Sequence, residues 1–110
     1  MELEEAVDAL GALAQENRLA VFRLLVQAGK DGLPAGEIAR ALAISPSSLS
    51  FHLSHLARSG LVSQERQSRQ IIYRAEYPAM DRLVAYLLEN CCSGEACEAA
   101  PGLGRRPADG

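Results

Sequence analysis

Three cysteines stand close together near the end of this 110-residue chain, in Asn90-Cys91-Cys92-Ser93-Gly94-Glu95-Ala96-Cys97. Thiolates are soft ligands and select thiophilic centres. Trivalent arsenic and antimony take three sulfurs in a pyramid, with a lone pair in the remaining direction, so Cys91, Cys92 and Cys97 match that stoichiometry unaided. Structural Zn²⁺ prefers four tetrahedral ligands. Glu95 or Glu98 would have to supply the fourth, because no His lies nearby in sequence. Redox chemistry is another option, through a Cys91–Cys97 or Cys92–Cys97 disulfide that reshapes the same segment. Cys91 taken alone also fits a buried core thiol. The cysteine count is odd, and Glu2, Glu4 and Glu5 stand where a secretory leader carries positive charge. Together these predict a cytoplasmic protein without a disulfide framework.

A second group of residues suits nucleic acid. In the stretch that begins Ser45-Pro46, the positions predicted to face outward from a helix are Ser47, Ser48, Ser50, Phe51, His52, Ser54, His55 and Arg58. Serine hydroxyls donate or accept at base edges and phosphates, and a helix N-terminus favours a phosphate. The plainer reading is that the serines cap the helix and that His52 and His55 are surface or dimer-side histidines. As a metal pair, two histidines three residues apart with no nearby acid or Cys carry little weight. The net charge of −3 hides an uneven distribution. Residues 18–74 hold eight Lys/Arg against Asp31, Glu37 and Glu65, and the flanks hold eleven acids against three Arg. A basic centre inside an acidic periphery is compatible with phosphate binding.

Positioning these groups requires scaffolding, and the hydrophobic pattern supplies it. Leu3, Ala6, Val7, Leu10, Leu13 and Ala14 predict a helix over 3–14. A second follows over 16–29, with Leu19, Phe22, Leu25 and Val26 on one side and Gly29 as its C-cap. Residues 35–42 form a short helix with Ile38, Ala39 and Leu42 inward. Ser45 is a suitable N-cap and Pro46 a suitable first residue for the next helix, which runs to Gly60 with Leu49, Leu53 and Leu56 buried. After Gly60 the period changes to extended segments at 61–65 and 70–75, with Arg66-Gln67-Ser68-Arg69 as a hairpin tip. Arg66, Arg69 and Arg74 then lie at or near this hairpin, within reach of backbone or minor groove. Pro78 opens a last helix, whose stripe Met80, Leu83, Val84, Leu87, Leu88 continues to Cys91. Gly94 would let the chain turn back so that Cys97 meets the pair. No apolar run approaches the roughly 20 residues that span a bilayer.

Two short helices, a tight turn and a hairpin make a winged helix-turn-helix, mainly α with a small β-hairpin. Its second helix enters the major groove. Residues 1–92 are expected to form a DNA-binding and dimerisation domain, and 93–110 a C-terminal segment carrying the third Cys and a flexible tail. With no phosphate loop and no Cys-x-x-Cys beside a βαβ pattern, no enzyme activity is expected.

The run Ser47-Ser48-Leu49-Ser50-Phe51-His52-Leu53-Ser54-His55-Leu56, followed by Ser59-Gly60-Leu61-Val62, resembles the recognition helix and exit of the ArsR family of metal-responsive repressors. Leu10-Gly11-Ala12-Leu13-Ala14, Asn17-Arg18-Leu19 and Phe22-Arg23-Leu24-Leu25 resemble its N-terminal helices, so the likeness spans about residues 6–92. It implies a homodimer, with the first and last helices at the interface, that binds double-stranded operator DNA and blocks a promoter. Some family members carry arsenic thiols in the third helix, but Gly36–Leu42 has no Cys. Leu83-Val84-Ala85-Tyr86-Leu87-Leu88-Glu89-Asn90-Cys91-Cys92 is similar instead to a subgroup with a vicinal Cys pair and a third Cys after the last helix. That resemblance implies arsenite, with antimonite as a relative, as the inducer bound by Cys91, Cys92 and Cys97. Zn²⁺ or Cd²⁺ sensing and a thiol redox switch remain the alternatives.

Overall fold

Capping chemistry sets the helix boundaries. In the computed structural model, which describes residues 1–94, α1 runs Leu3–Leu13 and α2 runs Glu16–Ala28. Gln15 begins α2 by accepting a hydrogen bond from the Arg18 N–H at 3.0 Å, and Gly29 ends it with φ +82°. Helices α3 (Ala35–Leu42) and α4 (Pro46–Arg58) are joined by a short turn, in which Ala43 takes a left-handed conformation. Helix α5 spans Tyr77–Leu87. The Tyr77 hydroxyl donates to the Val26 carbonyl at 2.9 Å and ties the start of α5 to the end of α2. Among the described residues, no helix is long and apolar enough to cross a membrane.

The hairpin comprises β2 (Val62–Gln67) and β3 (Gln70–Ala75), paired antiparallel from Val62↔Ala75 to Gln67↔Gln70. The tip is therefore Ser68-Arg69 alone, with Ser68 at φ +55°, and Arg66 and Gln67 belong to the strand. A two-residue turn lets both strands extend further than the polar composition of 66–69 suggests. A third strand, β1 (Leu33–Pro34), pairs with β3 through Leu33↔Tyr73 and Pro34↔Ile72, giving the order β1-β3-β2. Two residues, one of them Pro, leave no alternation to detect in sequence. Gly32 makes this pairing possible. At φ +68°, a Cβ there would sit 2.5 Å from the Tyr73 carbonyl oxygen.

Val21, Leu25, Ile38, Leu49, Leu53, Leu56 and Leu61 are the large side chains sealed at the centre. Burying each stabilises the fold by about 1.5–3 kcal/mol. Helix α1 reaches this core through Ala6, Ala9 and Ala12, with Leu13 packed against it; of the expected stripe, Ala6 and Leu13 face inward. Small side chains allow close approach of α1 to the body. Leu3, Val7 and Leu10 are left outward at 64%, 57% and 42% exposure. Leu19, expected inward on α2, is also exposed, while Phe22 and Leu25 are buried as expected.

Candidate nucleic-acid interface and thiol cluster

Helix α4 presents its face because Leu49, Leu53 and Leu56 fix the opposite one in the core. The Ser45 hydroxyl accepts from the Ser48 N–H at 3.3 Å, and Pro46 occupies the first turn. No acidic residue lies in that turn to repel a phosphate. Ser47, Ser48, Ser50, Phe51 and Ser54 are exposed along the helix. The arrangement offers hydroxyls and helix-terminal N–H groups to polar edges.

The two histidines correct the expected outward set. His52 is only 8% exposed and packs into the body, and His55 is half-buried. The Nδ1 atoms of both are buried without a hydrogen-bond partner among the described residues. The 100° step per residue explains the reversal for His52, which falls on the flank of the Leu49–Leu53–Leu56 stripe. Burial, first, and the nearby Arg18 guanidinium, second, hold both imidazoles below their ordinary value of 6.5. Their mutual proximity adds for His52, and Arg58 adds for His55. In this geometry His52 faces the body and His55 faces outward only in part.

Arg58 is exposed but stands at the far end of α4, roughly 16 Å along the axis from Ser47. There it lines a groove with Asp8, His55 and Ser59. Arg66 and Arg69 are exposed on the wing, one in β2 and one at the tip. Arg74 is committed to structure. Its Nε donates to the Lys30 carbonyl at 2.7 Å and its Nη1 pairs with Glu65 at 2.7 Å, bracing the base of the wing. Sequence reasoning gives Arg40 no role beyond its share of the central basic excess. In the fold it lines a cleft of about 430 Å³ between α3 and the wing, together with Arg69, Gln70 and Tyr73. Its ion pair with Glu37, at 3.5 Å and well exposed, is weak and leaves the cation available.

Helix α5 stops before the cysteines, so Cys91 does not continue the Met80–Leu88 stripe. Leu88 caps the helix, Asn90 turns left-handed at φ +58°, and a 3₁₀ turn occupies Cys91–Gly94. Asn tolerates that conformation better than most residues, so the reversal comes at Asn90, earlier than at Gly94. Cys91 is half-buried and Cys92 exposed, with Cys92 itself at φ +56°. Among the described residues no group of three or more His, Cys, Asp or Glu could hold a metal ion. Cys97, Glu95, Glu98 and the expected tail lie outside the described residues.

A helix-turn-helix domain model matches residues 13–65, from the end of α1 through α4 into the wing. The HTH-type transcriptional regulator YgaV of Escherichia coli is 30% identical over 81% of this chain and 88% of its own length. The transcriptional activator HlyU of Vibrio cholerae is 31% identical, with 80% of this chain and 79% of HlyU covered. A solved HlyU structure superposes with a TM-score of 0.63 at 31% identity, covering 84% of this chain and 99% of that one, and a structure of reduced HlyU does so at 0.61, covering 81% and 90%. An ArsR-like transcriptional regulator from Rhodococcus sp. RHA1 gives a TM-score of 0.70 at 27% identity, with 83% and 82% covered. These relatives are DNA-binding regulators, and they share with this chain the elements that set α4 outward. The chain belongs to the ArsR-like family of winged helix-turn-helix transcriptional regulators.

Proposed function

We propose that the protein is a cytoplasmic repressor that binds operator DNA as a homodimer and lets go when its C-terminal thiols take trivalent arsenic. The observation that carries the thiol reading is the break at Asn90. In a continued helix, Cys91 and Cys92 would point about 100° apart. Ending α5 at Leu87 and reversing the backbone at Asn90 removes that constraint, so an adjacent pair can turn toward one ion. Cys97 follows five residues after Cys92, a span of at most roughly 18 Å of extended chain. Three thiolates would hold arsenite, or antimonite, and ligation displaces the thiol protons, so binding weakens at low pH.

Exposed apolar residues support the dimer. Leu3, Val7 and Leu10 on α1 and Leu87 on α5 are exposed among the described residues. A partner's matching helices would bury them and set the spacing of the two α4 helices on successive major grooves. Remodelling the end of α5 then changes the relative pose of the two heads. Coupling of about 1–3 kcal/mol, ordinary for such systems, would weaken operator binding roughly 5- to 150-fold.

The likeness to HlyU, solved also in its reduced form, favours one second reading: a Cys91–Cys97 or Cys92–Cys97 disulfide as the switch. One titration separates the two. Release of DNA is measured against arsenite, antimonite, Zn²⁺, Cd²⁺ and peroxide, with Cys91→Ser, Cys92→Ser and Cys97→Ser alongside. Arsenite release lost in all three variants supports the proposal. Release by peroxide in metal-free buffer, with no response to arsenite, replaces it with the redox switch. A variant that keeps full arsenite response removes its residue from the site.

A further inference from the structure

Phe51 does not match its surroundings. It is 61% exposed on the outer face of α4, one turn after Ser47 and three residues before Ser54. A large apolar ring therefore stands among hydroxyls on the surface offered to DNA. It belongs to α4, whereas the exposed Leu3, Val7, Leu10 and Leu87 belong to α1 and α5. The ring is also braced. Its centroid lies 5.7 Å from that of His52 and 6.3 Å from that of His55, with interplanar angles of 65° and 81°. Edge-to-face contacts of this kind are attractive and directional. The position of Phe51 on α4 points it outward, with both imidazole edges beside its ring.

We infer that Phe51 reads thymine, packing its ring on the C5-methyl group of a thymine in the major groove. The inference rests on the operator-binding reading. In that groove the methyl is the apolar group a base pair displays, among donors and acceptors. Cytosine at the same position carries a C5–H where thymine has its methyl, so the ring loses its apolar contact. Ser47, Ser50 and Ser54 surround the ring with groups suited to the neighbouring polar edges. One helix face thereby combines a hydrogen-bonding reader with an apolar one, and the specificity at one position of each half-site is for the methyl.

The test uses the full-length protein and a duplex that it selects from a random DNA pool. Each thymine of that duplex is replaced in turn by deoxyuridine, which removes the methyl and nothing else. The wild type is expected to lose about four-fold in affinity at one thymine of each half-site, the value of one buried carbon. Phe51→Ala should bind the parent duplex on the order of ten-fold more weakly and no longer distinguish thymine from uracil there. Phe51→Leu should keep part of the discrimination. Because Phe51 is exposed, the variants should melt as the wild type does by circular dichroism. A Phe51→Ala protein that still loses four-fold at the same thymine overturns the inference, as does a wild type blind to the methyl at every thymine. Loss of the dimer in Phe51→Ala would assign the ring to a protein interface instead. Failure of the wild type to select any duplex sinks the operator reading and this inference with it.

Discussion

The recognition helix and the cysteine-bearing end are held in opposite ways. Helix α4 is anchored by Leu49, Leu53 and Leu56, all essentially sealed, against α1, α2, α3 and β2. The end of α5 is held locally. The N–H groups of Leu88, Glu89 and Cys91 bond to Val84, Tyr86 and Leu88, three or four residues back, at 3.0–3.2 Å. Elements that move on ligand binding come from the low-stability end of a structure. If the thiol end is the sensor proposed above, then among the described residues long-range packing holds the reading helix and short-range turns hold the responding end.

Leu56→Ala should destabilise the fold by about 2–5 kcal/mol, read from the urea midpoint, because the surrounding helices cannot close the cavity. In native-state hydrogen exchange, the α4 amides near Leu53 should exchange only through global unfolding. Those of Glu89 and Cys91 should exchange through local opening. Equal protection of the two regions would erase the distinction.

A smaller effect is expected at the wing. Gly32→Ala forces a Cβ against the Tyr73 carbonyl at a left-handed φ, so about 1–3 kcal/mol of stability should be lost in thermal unfolding. DNA affinity should fall with it as β3 shifts. Ser45→Ala removes the cap of α4 and should cost about 1 kcal/mol. A tenfold loss of operator affinity without any loss of stability would instead give Ser45 a direct role at the phosphate.

The helices are legible in sequence because their caps are chemical statements. Ser45-Pro46 and Gly29 each appear in the structure doing what their types dictate. What the sequence hides has physical causes as well. Helix α1 carries two apolar faces, and periodicity that follows Leu3, Val7 and Leu10 finds Ala6 but passes over Ala9 and Ala12, which the core also takes. His52 follows the arc of the leucine stripe, but a polar residue is read outward by default. Spacing alone extends α5 too far, because Cys91 falls in step with Val84, Leu87 and Leu88, and the turn at Asn90 has no Gly or Pro to announce it. Strand β1 exists through its partner β3 and has no pattern of its own. Of the site, the serines and the wing arginines are visible as types. Arg40 becomes visible only when folding places it across a cleft from Arg69.

Helix α4 also carries a pH response of its own. His52 is held neutral by burial, then by Arg18, then by His55. Its pKa in the folded state therefore lies below the unfolded value of 6.5. Between the two values the unfolded chain binds more protons, so stability rises with pH there. The contribution is fully present above about 6.5 and is lost as pH falls through the folded value. Urea midpoints of the wild type should decline from about pH 7.5 to about pH 5 more steeply than those of His52→Gln, which cannot titrate. The variant difference cancels carboxylates that titrate in the same range, and His55 stays common to both proteins. Parallel pH curves would mean that α4 tolerates an imidazolium beside Arg18, and the seat of the reader would then be softer than its burial indicates.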